Sequence, residues 1–446
     1  MAAALQPPKG ARDFMPQELE FMDSLLERIS ESIESFGYLR IETPAFEYFE
    51  VLAKKSGEEV EKQLYAFDDK GGRKLALRFD GTIPIARIIA SNPAMPKPIR
   101  LFYSGKFWRY EDTQAGRFRE FYQAGIELVG PGSRIADAEA VACLAKCLAD
   151  CGMVKGDDFN ILINTRKILS GFAGSIGIPE GESRLEFFRT IDKKDKISRE
   201  ALEGLLRNEK FGLSEGDINS TFEFLSLVGK PDEIISKARL ILNPNKEITD
   251  GLAELESFTK YLDEFGMLDC CILDLGLARG LDYYTGLIFE ARCGAGATDS
   301  RPGLSIAGGG RYDELIGSYG GEKLPATGWA IGIDRLIDVL KEKNRTSFLR
   351  KLRPSALVVP LDVVLERMAV RVSGMIRDAG VRCQVDVMAR TLSNCIEFAD
   401  KSGIDYVVIV GEREARDESV VVKDMRARSE RKLRLDELGH YFKSRV

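Results

Sequence analysis

Apolar residues at Met22, Leu25, Leu26, Ile29, Ile33 and Phe36 fall on one face of a helix running from Pro16 to Phe36. Gly37 follows where a helix ends in a residue of positive φ. Tyr38–Pro44 alternates as a strand and stops at its proline. Leu75–Phe79 predicts a short strand, Asp80-Gly81-Thr82 a turn, and Ile83–Ala90 a helix. Arg100–Tyr110 and Arg117–Leu128 predict the two arms of a long antiparallel hairpin joined by the polar loop Glu111–Gly116. Further on, Leu287-Ile288-Phe289 predicts a strand. If that strand includes Tyr283 and Tyr284, the two rings face opposite sides, one toward a core and one toward a cleft.

Between these blocks the pattern changes. Asp137–Leu148 predicts a helix, and residues 167–250 are charged and helical (Lys193–Arg207, Lys230–Leu242), as in an inserted module. Leu268–Leu273 predicts a strand, and Thr327–Leu336 a strand running into a helix. Beyond a charged connector, Lys341–Arg353, short β runs (Ala356–Pro360, Arg382–Val387, Tyr406–Val410, Val420–Lys423) are interspersed with helical stretches Val363–Ala379 and Leu392–Ser402. That alternation predicts a mostly parallel sheet with helices packed on it.

Composition narrows the chemistry. A chain of 446 residues with 44% hydrophobic and 30% charged residues is a soluble globular protein of several domains. It has no apolar run long enough to span a membrane and no secretory signal, so the cytoplasm is the expected compartment. The net charge is −6, yet residues 353–446 carry 17 Lys+Arg against 15 Asp+Glu, or +2, which leaves −8 for the rest. Phosphate binding would therefore fall to local patches. The single histidine, His440, excludes Ser-His-Asp or Cys-His catalysis and a histidine-rich metal site. Cys143, Cys147 and Cys151 recur along one helix side and read as small buried hydrophobes, as do Cys270 and Cys271. No P-loop or dinucleotide fingerprint is present.

Carboxylates, arginines, glutamines and tyrosines are left to carry function. Asp80 and Thr82 can cap a helix or hold an ammonium group at the mouth of a sheet. Gln123 and Glu127 lie among Phe121, Tyr122, Ala124, Ile126 and Leu128 and share one strand face. A carboxylate buried there needs a partner, which a cationic or N–H-bearing ligand could supply. Arg109, Glu111 and Arg117 on the hairpin read as solvated charges. Gly308-Gly309-Gly310 lets a backbone approach a ligand closely. The cluster Lys423, Arg426, Arg428, Arg431, Lys432 and Arg434 reads as a solvated loop or a phosphate contact.

Several of these stretches resemble one family. RGLDYYTG (Arg279–Gly286) and AGGGRYD (Ala307–Asp313) resemble signature peptides of histidyl-tRNA synthetases. The helix, strand and proline up to Pro44 resemble class II motif 1, the hairpin ending in GIELVG motif 2, and Thr327–Leu336 motif 3. GARDF (Gly10–Phe14) and IDKKDKI (Ile191–Ile197) are also similar. The resemblance implies an α+β catalytic core, an antiparallel sheet flanked by helices, with a helical insertion and a C-terminal α/β anticodon-binding domain. The core would occupy 1–166 and 251–345, the insertion 167–250, and the anticodon-binding domain 353–446. It further implies histidine activation by ATP with Mg²⁺, transfer to tRNA(His), and a homodimer.

By resemblance, Arg109, Glu111, Arg117 and Arg335 bind ATP, and Arg279 and Arg109 are catalytic. Asp80, Thr82, Gln123, Glu127, Arg279, Tyr283 and Tyr284 bind histidine, and no protein metal ligand is implied. The motif 2 loop Asp112–Gly116 departs from many relatives in lacking a proline. The rival expectation is a catalytically inactive, synthetase-like regulatory subunit of histidine biosynthesis. Such paralogues typically lack the last domain and drift in RGLDYYTG.

Overall fold

The computed structural model describes residues 5–54, 57–112, 116–279, 283–294, 303–345 and 355–445. The chain divides into two compact units, Met1–Leu349 and Arg350–Val446. Among the described residues no helix is long and apolar enough to cross a membrane.

The strands of the first unit are β1 (Leu39–Arg40), β2 (Phe46–Tyr48), β3 (Ala66–Asp68), β4 (Lys74–Leu77), β5 (Ile99–Trp108), β6 (Glu120–Val129), β7 (Phe159–Thr165), β8 (Val228–Gly229), β9 (Cys271–Asp274), β10 (Leu287–Cys293), β11 (Leu304–Arg311) and β12 (Ala326–Gly332). Nine of them form one sheet in the order β1-β5-β6-β12-β11-β10-β7-β9-β8, and β2, β4 and β3 form a small separate one. From β5 through β7 every neighbour in the large sheet is antiparallel. β1 on β5 and β9 on β7 are parallel, so the sheet is mixed at its flanks rather than antiparallel throughout.

The predicted hairpin forms with Leu101 opposite Glu127 and Gly105 opposite Gln123. The expected strand after Gly37 shrinks to two residues, while Gly37 itself takes φ of 80°. Helix Pro16–Glu34 buries Met22, Leu25, Ile29 and Ile33, the stripe legible in the sequence. Helix Arg134–Asp150 is covered on most sides, with Cys143, Cys147 and Cys151 fully buried as free thiols. Within 167–250 the structure is helical apart from β8, which joins the large sheet, while Asp192–Lys196 is a run of turns and helix Lys246–Glu264 continues past residue 250.

The second unit carries β13 (Ser355–Pro360), β14 (Arg382–Val385), β15 (Tyr406–Val410), β16 (Ser419–Asp424) and β17 (Ser429–Arg434), ordered β14-β13-β15-β16-β17. β13 pairs in parallel with β14 and β15, whereas β16 and β17 are antiparallel additions. The sheet is thus mixed, not mostly parallel, and the expected basic loop is half of a hairpin. Lys423 pairs with Glu430 and Lys432 with Asp417 on that hairpin.

One charged residue ties the first unit together. Arg311, at the end of β11, is 1% exposed. Its guanidinium donates to Asp137 Oδ1 at 2.7 Å and to Asp313 Oδ1 at 3.0 Å. Removing one member of a buried pair strands the other charge, which costs about 3–5 kcal/mol. Arg134 also reaches Asp137 Oδ2 at 2.8 Å and shares that charge, so Arg311→Leu should lower the urea-unfolding free energy of this unit by about 3 kcal/mol, and adding Asp137→Leu should restore only part of it. Equal stability of the single variant and wild type would contradict this role.

Candidate active site

The face of the sheet formed by β5, β6, β11 and β12 borders an open cavity of about 180 Å³. Asp80, Thr82, Gln123, Tyr283 and Tyr284 lie around it, as do Arg109, Glu111, Arg117, Arg279 and Arg335. Glu127, 1% exposed, sits just behind this wall. Gly328 stands opposite it on β12, and a Cβ there would lie 2.2 Å from Glu127 Oε2 and 3.0 Å from the Tyr312 hydroxyl. The absence of a side chain at Gly328 is what gives the carboxylate its place.

Five buried polar atoms gather here without a hydrogen-bond partner: Asp80 Oδ2, Gln123 Oε1, Glu127 Oε2 and the hydroxyls of Tyr103 and Tyr312. Buried polar groups are normally paired, so such a cluster points to a ligand of matching polarity. Asp80 is both a cap and a site residue, because its Oδ1 accepts from the Ile83 N–H at 3.2 Å while Oδ2 stays free. Burial pushes its carboxyl up to about 6, against the pull of that N–H and of Arg109. Glu127 Oε1 accepts from the Thr82 hydroxyl at 2.7 Å. Burial drives Glu127 well above the ordinary carboxylate range, and the neighbouring Asp80 adds to this. Two buried carboxylates side by side favour a ligand that brings N–H groups and positive charge.

The two tyrosines do not lie on opposite faces of a strand. Residues 283–286 precede β10 in a turn and coil, so no pleat separates the rings. Both are buried against the cavity, with centroids 4.9 Å apart and tilted by 56°. Gly280, Leu281 and Asp282 of the same stretch lie outside the described residues, as do residues 113–115 of the hairpin loop.

At the other end the cavity is cationic. Arg109 stacks on Phe121 at 5.2 Å and donates to the Phe79 carbonyl at 3.1 Å. Arg117 pairs with Glu111. Arg335 donates to the Ser305 carbonyl at 2.8 Å. Burial, then the like charges of Arg117 and Arg109, lower its pKa, though an arginine stays protonated. Arg279 lies across Gly308, where a Cβ would come within 2.2 Å of its guanidinium. The glycine run thus admits a side chain as well as lining the cavity. Opposite Gly308 stands Glu290, which accepts from Arg279 Nη1 at 2.9 Å. Burial would raise Glu290, but the charges of Arg279 and Arg292 overcome it and hold the carboxyl at about 2.

Tyr103, Tyr312, Glu290 and Arg292 were not singled out in the sequence. Tyr103 had a signal, since Gly125 leaves a gap between Gln123 and Glu127 on the strand face that Tyr103 meets. Tyr312 stood in the glycine-rich peptide itself. Among the described residues no group of three or more His, Cys, Asp or Glu is placed to hold a metal ion.

A mixed sheet whose antiparallel centre carries arginines at one end of a cavity and a polar pocket at the other is the catalytic unit of a class II aminoacyl-tRNA synthetase. A family profile described as histidyl-tRNA synthetase matches residues 10–336, and one described as anticodon binding domain matches residues 355–445. The chain is 40% identical to the histidine–tRNA ligase of Thermococcus kodakarensis, covering 95% of each chain. It is 36% identical to that of Methanocaldococcus jannaschii over 99% of this chain and 100% of the relative. The crystal structure of histidyl-tRNA synthetase from a Nostoc species superposes with a TM-score of 0.79 at 30% identity, covering 99% of both chains. The chain belongs to the histidyl-tRNA synthetase family.

The Glu290 carboxyl allows a test of this electrostatic arrangement. Its folded pKa lies below its ordinary 4.5, so its ionised form contributes stability above that pH and loses it as pH falls through about 2. The stability gap between wild type and Glu290→Gln, measured by urea unfolding, should be full near pH 6 and shrink steadily below about 4.5. A gap that is constant with pH would mean that Glu290 is not ion-paired.

Proposed function

We propose that this chain is a histidine–tRNA ligase, and that the five unpartnered polar atoms beside an arginine-lined cavity are the observation that carries the reading. Histidine enters the polar end. Its imidazole meets Glu127 and Tyr284, and its ammonium meets Asp80 and Gln123. Thr82 orients Glu127 through its hydroxyl. Tyr283 packs against Tyr284 and, at 5.8 Å, against Tyr312, closing that end. The substrate is MgATP, with its metal held chiefly by the phosphates.

Activation joins a histidine carboxylate oxygen to the α-phosphorus while the bond to pyrophosphate breaks. The carboxylate is its own nucleophile, so the protein has to align it and neutralise charge. Arg109 and Arg279 meet the α-phosphate, and Arg335, with Arg117 and Glu111 on the hairpin, faces the outer phosphates. In the second step a terminal hydroxyl of tRNA attacks the histidyl carbonyl and AMP departs. Residues 353–446 hold the anticodon arm, with the basic hairpin β16–β17 toward phosphate. Residues 1–166 and 251–345 form the catalytic core, and 167–250 its insertion. The chain works as a cytoplasmic homodimer. A regulatory paralogue is disfavoured, because the anticodon-binding profile matches the C-terminal segment and the signature arginine and tyrosines are retained.

Histidine-dependent ATP–pyrophosphate exchange tests the assignment, and exchange with other amino acids should be negligible. Arg279→Ala should slow exchange by about a thousandfold, in line with removal of a transition-state charge partner. Glu127→Gln should raise KM for histidine by at least about tenfold and leave KM for ATP nearly unchanged, since a buried polar pocket discriminates strongly. Equal effects on both substrates would point to general damage instead.

A further inference from the structure

Resting on the reading of Arg279 as the residue that meets the α-phosphate, we propose that Asp195, on a turn of the helical insertion, is a positioning residue for that arginine. The observation is a chain of four alternating charges. Asp195 Oδ2 accepts from Arg292 Nη1 at 2.6 Å. Arg292 Nε donates to Glu290 Oε1 at 2.9 Å, and Arg279 Nη1 donates to Glu290 Oε2 at 2.9 Å. Each oxygen of Glu290 is therefore held by a different arginine. Glu290 and Arg292 are two apart on β10 and share a face.

The same turn is fastened at a second point. Lys194 Nζ reaches Asp274 Oδ1 at 2.5 Å, with side-chain exposures of 13% and 3%. Asp274 Oδ1 also accepts from the Gly276 N–H at 3.0 Å, on the segment that leads into Arg279. Asp192, from the same turn, is close enough for its charge and that of Arg279 to act on each other. The insertion thus acts toward Arg279 through Arg292 and Glu290, through the charge of Asp192, and through the Lys194–Asp274 pair on the segment that leads into it.

Arg279 lies across Gly308, and among the described residues its side-chain hydrogen bond is to Glu290. Its orientation rests on Glu290. A guanidinium fork binds a carboxylate best with two parallel bonds, and Arg292 would take both oxygens of Glu290 if nothing else held it. Asp195 is what holds it. It keeps Arg292 to one oxygen and leaves the other for Arg279. Loss of Asp195 frees Arg292 to displace Arg279 from Glu290, which costs alignment at the transition state more than ground-state binding. Asp195 itself is 30% exposed, and an ion pair at such a site adds little to stability.

The full-length Asp195→Asn and Asp195→Glu variants, compared with wild type by exchange and by tRNA charging, test the proposal. Asp195→Asn should melt within about 2 °C of wild type and lower kcat for exchange by about tenfold, the size of coupling that side-chain networks carry. KM for histidine and for ATP should stay within about twofold, and Asp195→Glu should recover part of the loss. In a Glu290→Gln background, Asp195→Asn should cost nothing further, because the path it acts through is already cut. Two results would overturn the proposal. One is wild-type exchange with impaired charging, which would place Asp195 against tRNA; the other is independent, multiplying losses for Asp195 and Glu290. A wild-type chain without histidine-dependent exchange would instead undo the reading of Arg279 on which this rests.

Discussion

A buried polar atom with no partner costs about 1–3 kcal/mol, and folding this chain leaves five of them around one cavity. The rest of the catalytic unit can be understood as what makes that tolerable. The hairpin β5–β6 fixes Gln123 and Glu127 on one face by register, not by loop conformation. Gly328 yields the space that Glu127 occupies, and Thr82 satisfies one oxygen of that carboxylate and leaves the other. Tyr103, Gln123 and Glu127 hold their part of this deficit on strands, an arrangement that suits a ligand of complementary polarity.

The cationic end follows a different rule. Burial, then the like charges of Arg117 and Arg109, depress Arg335 while Glu111 offsets part of this, an arrangement that suits an anion. Arg279 is handled separately, through Glu290. Its negative charge is compensated from two sides, which keeps the arginine fixed without leaving a net charge buried. Polar recognition and charge neutralisation therefore sit on the same sheet but rest on separate supports. This suits a reaction that must first select a small molecule and then stabilise a phosphoryl transition state.

The helix stripes and the hairpin were legible in the sequence because period and length are local properties. Gln123 and Glu127 stood out for the same reason, as polar residues in apolar company. Whether the tyrosine pair joins the strand is open in the sequence, because nothing local marks the onset of β10, which begins only at Leu287. The parallel flanks of the large sheet were not legible because such pairing is decided by partners far along the chain: β1 on β5, β9 on β7. Glu290 and Arg292 look like ordinary strand charges until Arg279 and Asp195 are placed beside them. The basic stretch after Lys423 read as a loop because its alternation is of charge, with few apolar residues to reveal the strand.

On the proposed reading the cavity is selective because its polar deficit is met by histidine's nitrogen groups, not because it is a hole of suitable size. Thermal unfolding in the presence of L-histidine or L-phenylalanine at equal concentration tests this directly, since a ligand that binds only the folded state raises the melting temperature. The account predicts a concentration-dependent rise with histidine and no change with phenylalanine. Equal stabilisation by the two would show that apolar volume, and not the unpaired polar atoms, governs what the site accepts.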